Sequence, residues 1–162
     1  MWEGGHHTLG LAYATREARE QLLGTVAEAT DEIGVALAAL GAAYEQLDEA
    51  SGDRLEEQLF RPVQAAYGRA QRTHAGFAAR HHLPARAFEA ASAGLPSQGV
   101  RGFVEQTADA LEEADGILAE LQDSMMPVEV GDAELRAGLA AVRELIADGP
   151  ERAQRFLSLL GR

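Results

Sequence analysis

Residues 23–47 read LGTVAEATDEIGVALAALGAAYEQL, and their spacing decides the fold class. Leu23, Val26, Thr30, Ile33, Leu37, Leu40, Tyr44 and Leu47 alternate three and four residues apart, which puts them all on one face of an α-helix. A strand would need alternation every second residue, and only Val128-Glu129-Val130 is even briefly strand-like. The seam reads as buried, and Thr30 is the polar residue in its middle.

Three further seams follow. The second is Phe60, Val63, Tyr67, Ala70, His74, Phe77 and His81; the third is Val100, Val104, Thr107, Leu111, Ala114, Leu118, Leu121 and Met125. The fourth is Leu135, Leu139, Val142 and Ile146, continued in phase by Ala153, Phe156 and Leu160. Local signals bound them: Ser51-Gly52 as a stop, Asp53 with Glu56 as a capping box, Leu83-Pro84 as a stop, Ser97 and Asp132 as caps, Met126-Pro127 as a stop. Helices are therefore expected over about 9–49, 53–82, 98–126 and 132–160, with a short one over about 84–93, started by Pro84 and closed by Gly94. Pro62 and Gly149-Pro150 should kink their helices, because proline removes a backbone donor. The short connections at 49–53 and 126–132 imply antiparallel neighbours. The expected fold is one all-α domain over residues 1–162, an antiparallel up-and-down four-helix bundle.

Composition narrows function. The chain has 162 residues, no cysteine, and a formal net charge of −12. Thiol nucleophiles and thiolate metal sites are absent from its repertoire. All its basic residues are arginine, which removes lysine-based catalysis. The acidic balance argues against nucleic acid, which needs a basic face for phosphates. The longest apolar run, IGVALAALGAAY at 33–44, is too short for a bilayer that needs ~20 residues, and no basic-then-apolar leader opens the chain. The expectation is a cytoplasmic protein with no membrane insertion. There is no HExxH, GxSxG, Walker loop or GxGxxG, so neither an enzyme nor a cofactor is implied.

The histidines are the remaining chemical candidates. In an antiparallel hairpin, paired seam positions keep a constant sum, and counting outward from the first turn sets Thr30 opposite His74. Counting further brings Thr107 and the Gly149-Pro150 kink to the same height. Thr30, His74 and Thr107 thus form a candidate buried polar layer, with hydroxyls and a freed carbonyl as partners for the imidazole. The layer has no carboxylate and one histidine, too few ligands for zinc or iron. A proton switch is the functional alternative to a structural role. A metal site would have to come from His81 and His82 at the open end, completed by His6 and His7 folding back.

Charge is laid out by helix. No acid occurs between Glu57 and Glu89, where Arg61, Arg69, Arg72, Arg80 and Arg86 accumulate. No basic residue occurs between Arg101 and Arg136, where Glu105, Asp109, Glu112, Glu113, Asp115, Glu120 and Asp123 accumulate. Either this asymmetry selects neighbours within the chain, or Arg61, Arg69 and Arg72 meet the acidic face of a protein partner, such as a second copy in a homodimer. Met125 and Met126, in the SMMPVEV loop, would add an adaptable apolar contact, as would the small face of Gly34, Ala38 and Gly41. The reading is a non-catalytic interaction or scaffold protein. The alternative is a bundle holding a metal ion or small anion at its histidine- and arginine-bearing end.

Overall fold

A computed structural model describes residues 2–161, with side chains from residue 10 onward; among these residues the fold is all-helical, without a strand. Helix α1 spans Trp2–Glu45 and α2 spans Glu49–Leu55; a π-helical turn, Glu56–Phe60, leads into α3, Arg61–Arg80. A 3-10 turn at Pro96–Gln98 opens α4, Gly99–Asp123, and the short α5, Met126–Glu129, precedes α6, Ala133–Ile146, and α7, Gly149–Leu160.

The first helix ends before Ser51-Gly52. Asp48 accepts a hydrogen bond from the Ser51 amide at 2.8 Å and so caps α2, which moves the turn to residues 46–48 and leaves Asp53 and Glu56 without a capping role. Tyr44, expected in the seam, is 43% exposed and lies over Gly52. Ser97 is no cap either: it sits in the 3-10 turn, and Gly99 takes a positive φ of 75° where α4 begins. Asp132 does cap α6, accepting from the Leu135 amide at 2.8 Å.

The two prolines act differently from simple kinks. Pro62 has no N–H, so the carbonyl four residues back, on Gln58, loses its helical donor. A π turn absorbs the mismatch, with the Arg61 amide reaching the Glu56 carbonyl. Arg152 Nη1, from α7, then donates to the stranded Gln58 carbonyl at 3.2 Å. Pro150 sits in the first turn of a new helix, where a missing amide leaves nothing unpaired. The expected kink is therefore a break: α6 packs chiefly on α3, whereas α7 packs on α4 and the π turn.

Side-chain pairs give the helix directions. Gln46 Nε2 reaches the Pro96 carbonyl at 3.0 Å, Thr107 Oγ1 the Ala36 carbonyl at 3.4 Å, and Arg19 Nε the Val130 carbonyl at 2.9 Å. Numbers fall along α1 as they rise along α4, so these two run antiparallel. Tyr67 against Gly34 and Arg16 against the His82 carbonyl give the same relation between α1 and α3. Arg80 with Asp132, and Arg152 with Gln58, give it between α3 and the α6–α7 pair. It follows that α3 and α4 point the same way, and that α4 starts at the end of the molecule opposite to where α3 stops.

The up-and-down order therefore does not carry through the second connection, and the short helix expected over 84–93 is absent. Length is the reason. The connection must climb most of the height of α4, whose 25 residues span roughly 38 Å. Ten helical residues would cover about 15 Å, whereas thirteen extended ones reach about 43 Å. Residues 83–95 accordingly form an irregular strap in the groove between α1 and α3. Leu83 is buried at its foot, Arg86 bonds Asp31 of α1 at 2.5 Å, and Phe88 stacks edge-on against His74 of α3.

Interior residues such as Leu22, Ile33, Phe77, Phe103, Leu111 and Leu139 form one continuous core. At Gly138 of α6 a Cβ would overlap the Thr73 hydroxyl of α3. Gly24 of α1 has open space around it. Gly138→Ala is expected to lower stability by about 1–3 kcal/mol through overpacking, and Gly24→Ala to raise it by up to about 1 kcal/mol through helix propensity. Urea unfolding of the two variants measures both, and opposite signs are the expected result.

Candidate functional site

Thr30, His74 and Thr107 are all buried, at 0%, 2% and 0% exposure, but they do not form one layer. Thr30 Oγ1 donates to its own helix at Val26 (2.8 Å), and Thr107 Oγ1 to Phe103 (3.0 Å) and across to Ala36 (3.4 Å). Ala36 lies six residues beyond Thr30, roughly 9 Å along the axis. The helix break meets α4 at Leu111 rather than Thr107, since a Cβ on Gly149 would strike that leucine.

Opposite Thr30 the interior residue of α3 is Thr73. Val26, Ala29, Thr30, Ile33, Ala70, Thr73, Leu118, Leu139 and Val142 line one small void, and the Thr73 hydroxyl donates to Arg69 at 2.8 Å. At this height the facing differs from the count by one residue, about 100° on a helix. His74 turns instead into the outer groove, where the strap buries it. Its ring centroid is 5.1 Å from that of Phe88, and its Nδ1 has no hydrogen-bond partner among the described residues. Arg86, stacked 4.7 Å above Phe88 and bonded to Asp31, is the nearest strap cation; Tyr67 and Glu89 lie in the field of the same guanidinium. Burial, then Arg86, pushes the His74 pKa down.

At the C-terminal end of α3 a denser polar cluster forms. Arg80 bonds both oxygens of Asp132, at 2.8 and 2.9 Å, and Glu134 at 2.7 Å. His81 Nε2 lies 2.9 Å from Asp132 Oδ2. The Arg80 guanidinium holds the Asp132 carboxyl well below the usual carboxylate range, and the Leu135 amide and His81 add to the effect. This carboxylate joins the end of α3 to the start of α6 and has no capacity left for a cation. His82 is exposed and takes a positive φ of 56°. His6 and His7 lie outside the described side chains. Among the described residues, no three His, Asp or Glu side chains come close enough together to hold a metal ion.

The arginines of α3 divide. Arg61 is exposed and stands 3.7 Å from Glu56. Arg69 and Arg72 flank an open cleft of about 290 Å³ with Thr73, Arg80, Glu134 and Ala137, and neither pairs with a carboxylate among the described residues. Met125 is 48% exposed at a φ of 65°, Val128 is 57% exposed beside it, and Met126 packs against the core. In the small face of α1, Gly34 packs on Tyr67 while Gly41 has open space.

Polar anchors between helices went unread in the sequence. The Arg143–Asp115 pair, at 2.8 Å, ties α6 to α4, and Arg152 covers Gln58. The carbonyl stranded by Pro62 was a readable signal for a donor, though nothing local says which helix supplies it. Phe88 and Arg86 are the aromatic and the basic residue of an alanine-rich connection, and they mark where the strap is pinned. No protein-family model, curated protein or solved structure matches this chain.

The His74 environment sets a pH dependence with a definite sign. A folded-state pKa below the unfolded value near 6.5 means stability is complete above that pH. It falls as pH drops, by at most about 1.4 kcal/mol per pH unit. Lowering pH from about 7.5 to about 5 should reduce the thermal midpoint of the wild type more than that of His74→Leu, with amide exchange rising first in residues 83–95. Parallel midpoints in the two proteins would show that the imidazole carries no such penalty.

Proposed function

We propose that the chain is a four-helix bundle with one length-spanning crossover, and that it works as a non-catalytic interaction or scaffold protein that associates with a second copy of itself. The supporting observation is where the charged helices stand. Basic α3 and acidic α4 are not packing neighbours: α3 lies beside α1 and α6, and α4 beside α1 and α7. Their opposite charges therefore have no route to neutralise each other within one molecule.

Each side keeps an unanswered charge. Arg69 and Arg72 stand free on α3 beside their cleft. On the α1–α4 side acids crowd together: burial, then Glu113 and Asp31, raise the pKa of Glu32. A pair of copies related by a two-fold axis sets each arginine stripe on the other's acidic ridge. Charges of this kind orient partners and speed encounter more than they hold them. The apolar anchors are Met125 and Val128 at the loop between α4 and α6. No helix among the described residues is long and apolar enough to cross a membrane, so association takes place without insertion of these helices.

Sedimentation equilibrium tests this reading. A dimer at low salt should dissociate as ionic strength passes about 0.5 M, and Arg69→Glu with Arg72→Glu should weaken it at least tenfold while leaving the helical spectrum intact. A chain that is monomeric at all salt concentrations, or a dimer indifferent to both changes, rules the reading out.

A further inference from the structure

The two proline irregularities face each other across one groove. On one wall the π turn and the start of α3 present Gln58, Leu59, Pro62 and Val63; on the other the α6–α7 break presents Leu145, Asp148, Gly149 and Arg152. This recess has a volume of about 540 Å³. A second recess of about 230 Å³, lined by Arg54, Arg155, Phe156 and Leu159, adjoins it and shares Gln58 and Arg152. Together they have the size and mixed lining of a small-molecule site.

Its charge runs in one direction. Glu144 and Asp148 stand at the α6 end; Arg152, Arg155 and Arg54 gather at the α7 end, around Phe156 and Leu159. None of these three guanidiniums forms an ion pair among the described residues, in a chain with 26 acids and 14 bases, although Arg54 lies in the field of Asp48. Among the described residues Arg54 donates only to the Ser51 hydroxyl, at 3.3 Å, and Arg152 only to the Gln58 carbonyl. By contrast Arg80, Arg86 and Arg143 each hold an aspartate. Adjacent cations left unmatched repel one another, and an anion placed among them relieves that repulsion. The Gln58 carbonyl also holds Arg152 in place before anything binds, so less side-chain freedom is lost on binding.

We infer that this groove binds a small anionic amphiphile, its head group on Arg54, Arg152 and Arg155 and its apolar chain over Pro62, Ala141 and Leu145. The two carboxylates at the far end fix the orientation, because they repel the head group. The inference is independent of self-association, which rests on Arg69 and Arg72 in a different cleft.

Calorimetric titration with octyl sulfate, octyl glucoside and inorganic sulfate separates head from chain. Octyl sulfate is expected to saturate at one equivalent, with octyl glucoside and sulfate each binding at least tenfold more weakly. Arg54→Gln with Arg155→Gln should weaken octyl sulfate at least tenfold, and Leu145→Asp several-fold. All three side chains are exposed, and unchanged thermal melts confirm that the variants fold. Equal binding of the two amphiphiles, binding at many equivalents, no binding, or affinity indifferent to these substitutions would overturn the site.

Discussion

The strap between Leu83 and Leu95 has to climb most of the height of the molecule in thirteen residues, and the rest of the structure follows from that constraint. Such a segment is long enough only if extended, so it forgoes its own helical hydrogen bonds and draws its order from what it touches. Leu83, Arg86 and Phe88 supply those contacts, in the groove between α1 and α3. The strap adds cover to α3 at His74, which is buried beside Thr73, with Phe77 and Ala78 one turn on. The unpartnered imidazole nitrogen is a direct consequence: His74 is inside because the strap lies over it.

The crossover also decides which helices meet. By sending α4 back to the end where α1 finishes, it places α4 along α1 and leaves α3 and α4 pointing the same way without packing as neighbours. Charge segregation that would have been neutralised between neighbours is thereby turned outward. The same arrangement brings the proline-broken stretch before α3 against the proline-broken stretch before α7. Each irregularity keeps the other from closing the wall, and a groove remains with Arg152 bridging it to Gln58. Backbone irregularity at this point is satisfied rather than strained.

Much of this was legible in the sequence, and the failures have physical causes. Three-four spacing identified the helices because each must bury one face. Thr30 and Thr107 were rightly seen as interior because their hydroxyls return a bond to their own turn. The strap was misread because Pro84 and Gly94 are local start and stop signals for a helix, while the distance to be covered, a property of the whole fold, forbids one. His74 was assigned to the wrong side by a single residue, since spacing fixes height along a helix better than rotation around it once an extra segment packs on. The Arg80–Asp132–His81 cluster, at the junction of α3 and α6, was beyond reach because the short 126–132 connection sets the fourth helix beside the third, whereas α6 packs chiefly on α3.

The central claim is that α3 and α4 run in the same direction, and the absence of native cysteine makes it directly measurable. Spin labels on cysteines introduced at Gln64 and Glu105 should report a shorter distance than labels at Gln64 and Glu120, by on the order of 10 Å, because residues 64 and 105 stand at one height and 120 lies about four turns farther along α4. The reverse ordering, with residue 120 nearer to 64, would mean that α4 reverses α3 and that no strap spans the molecule.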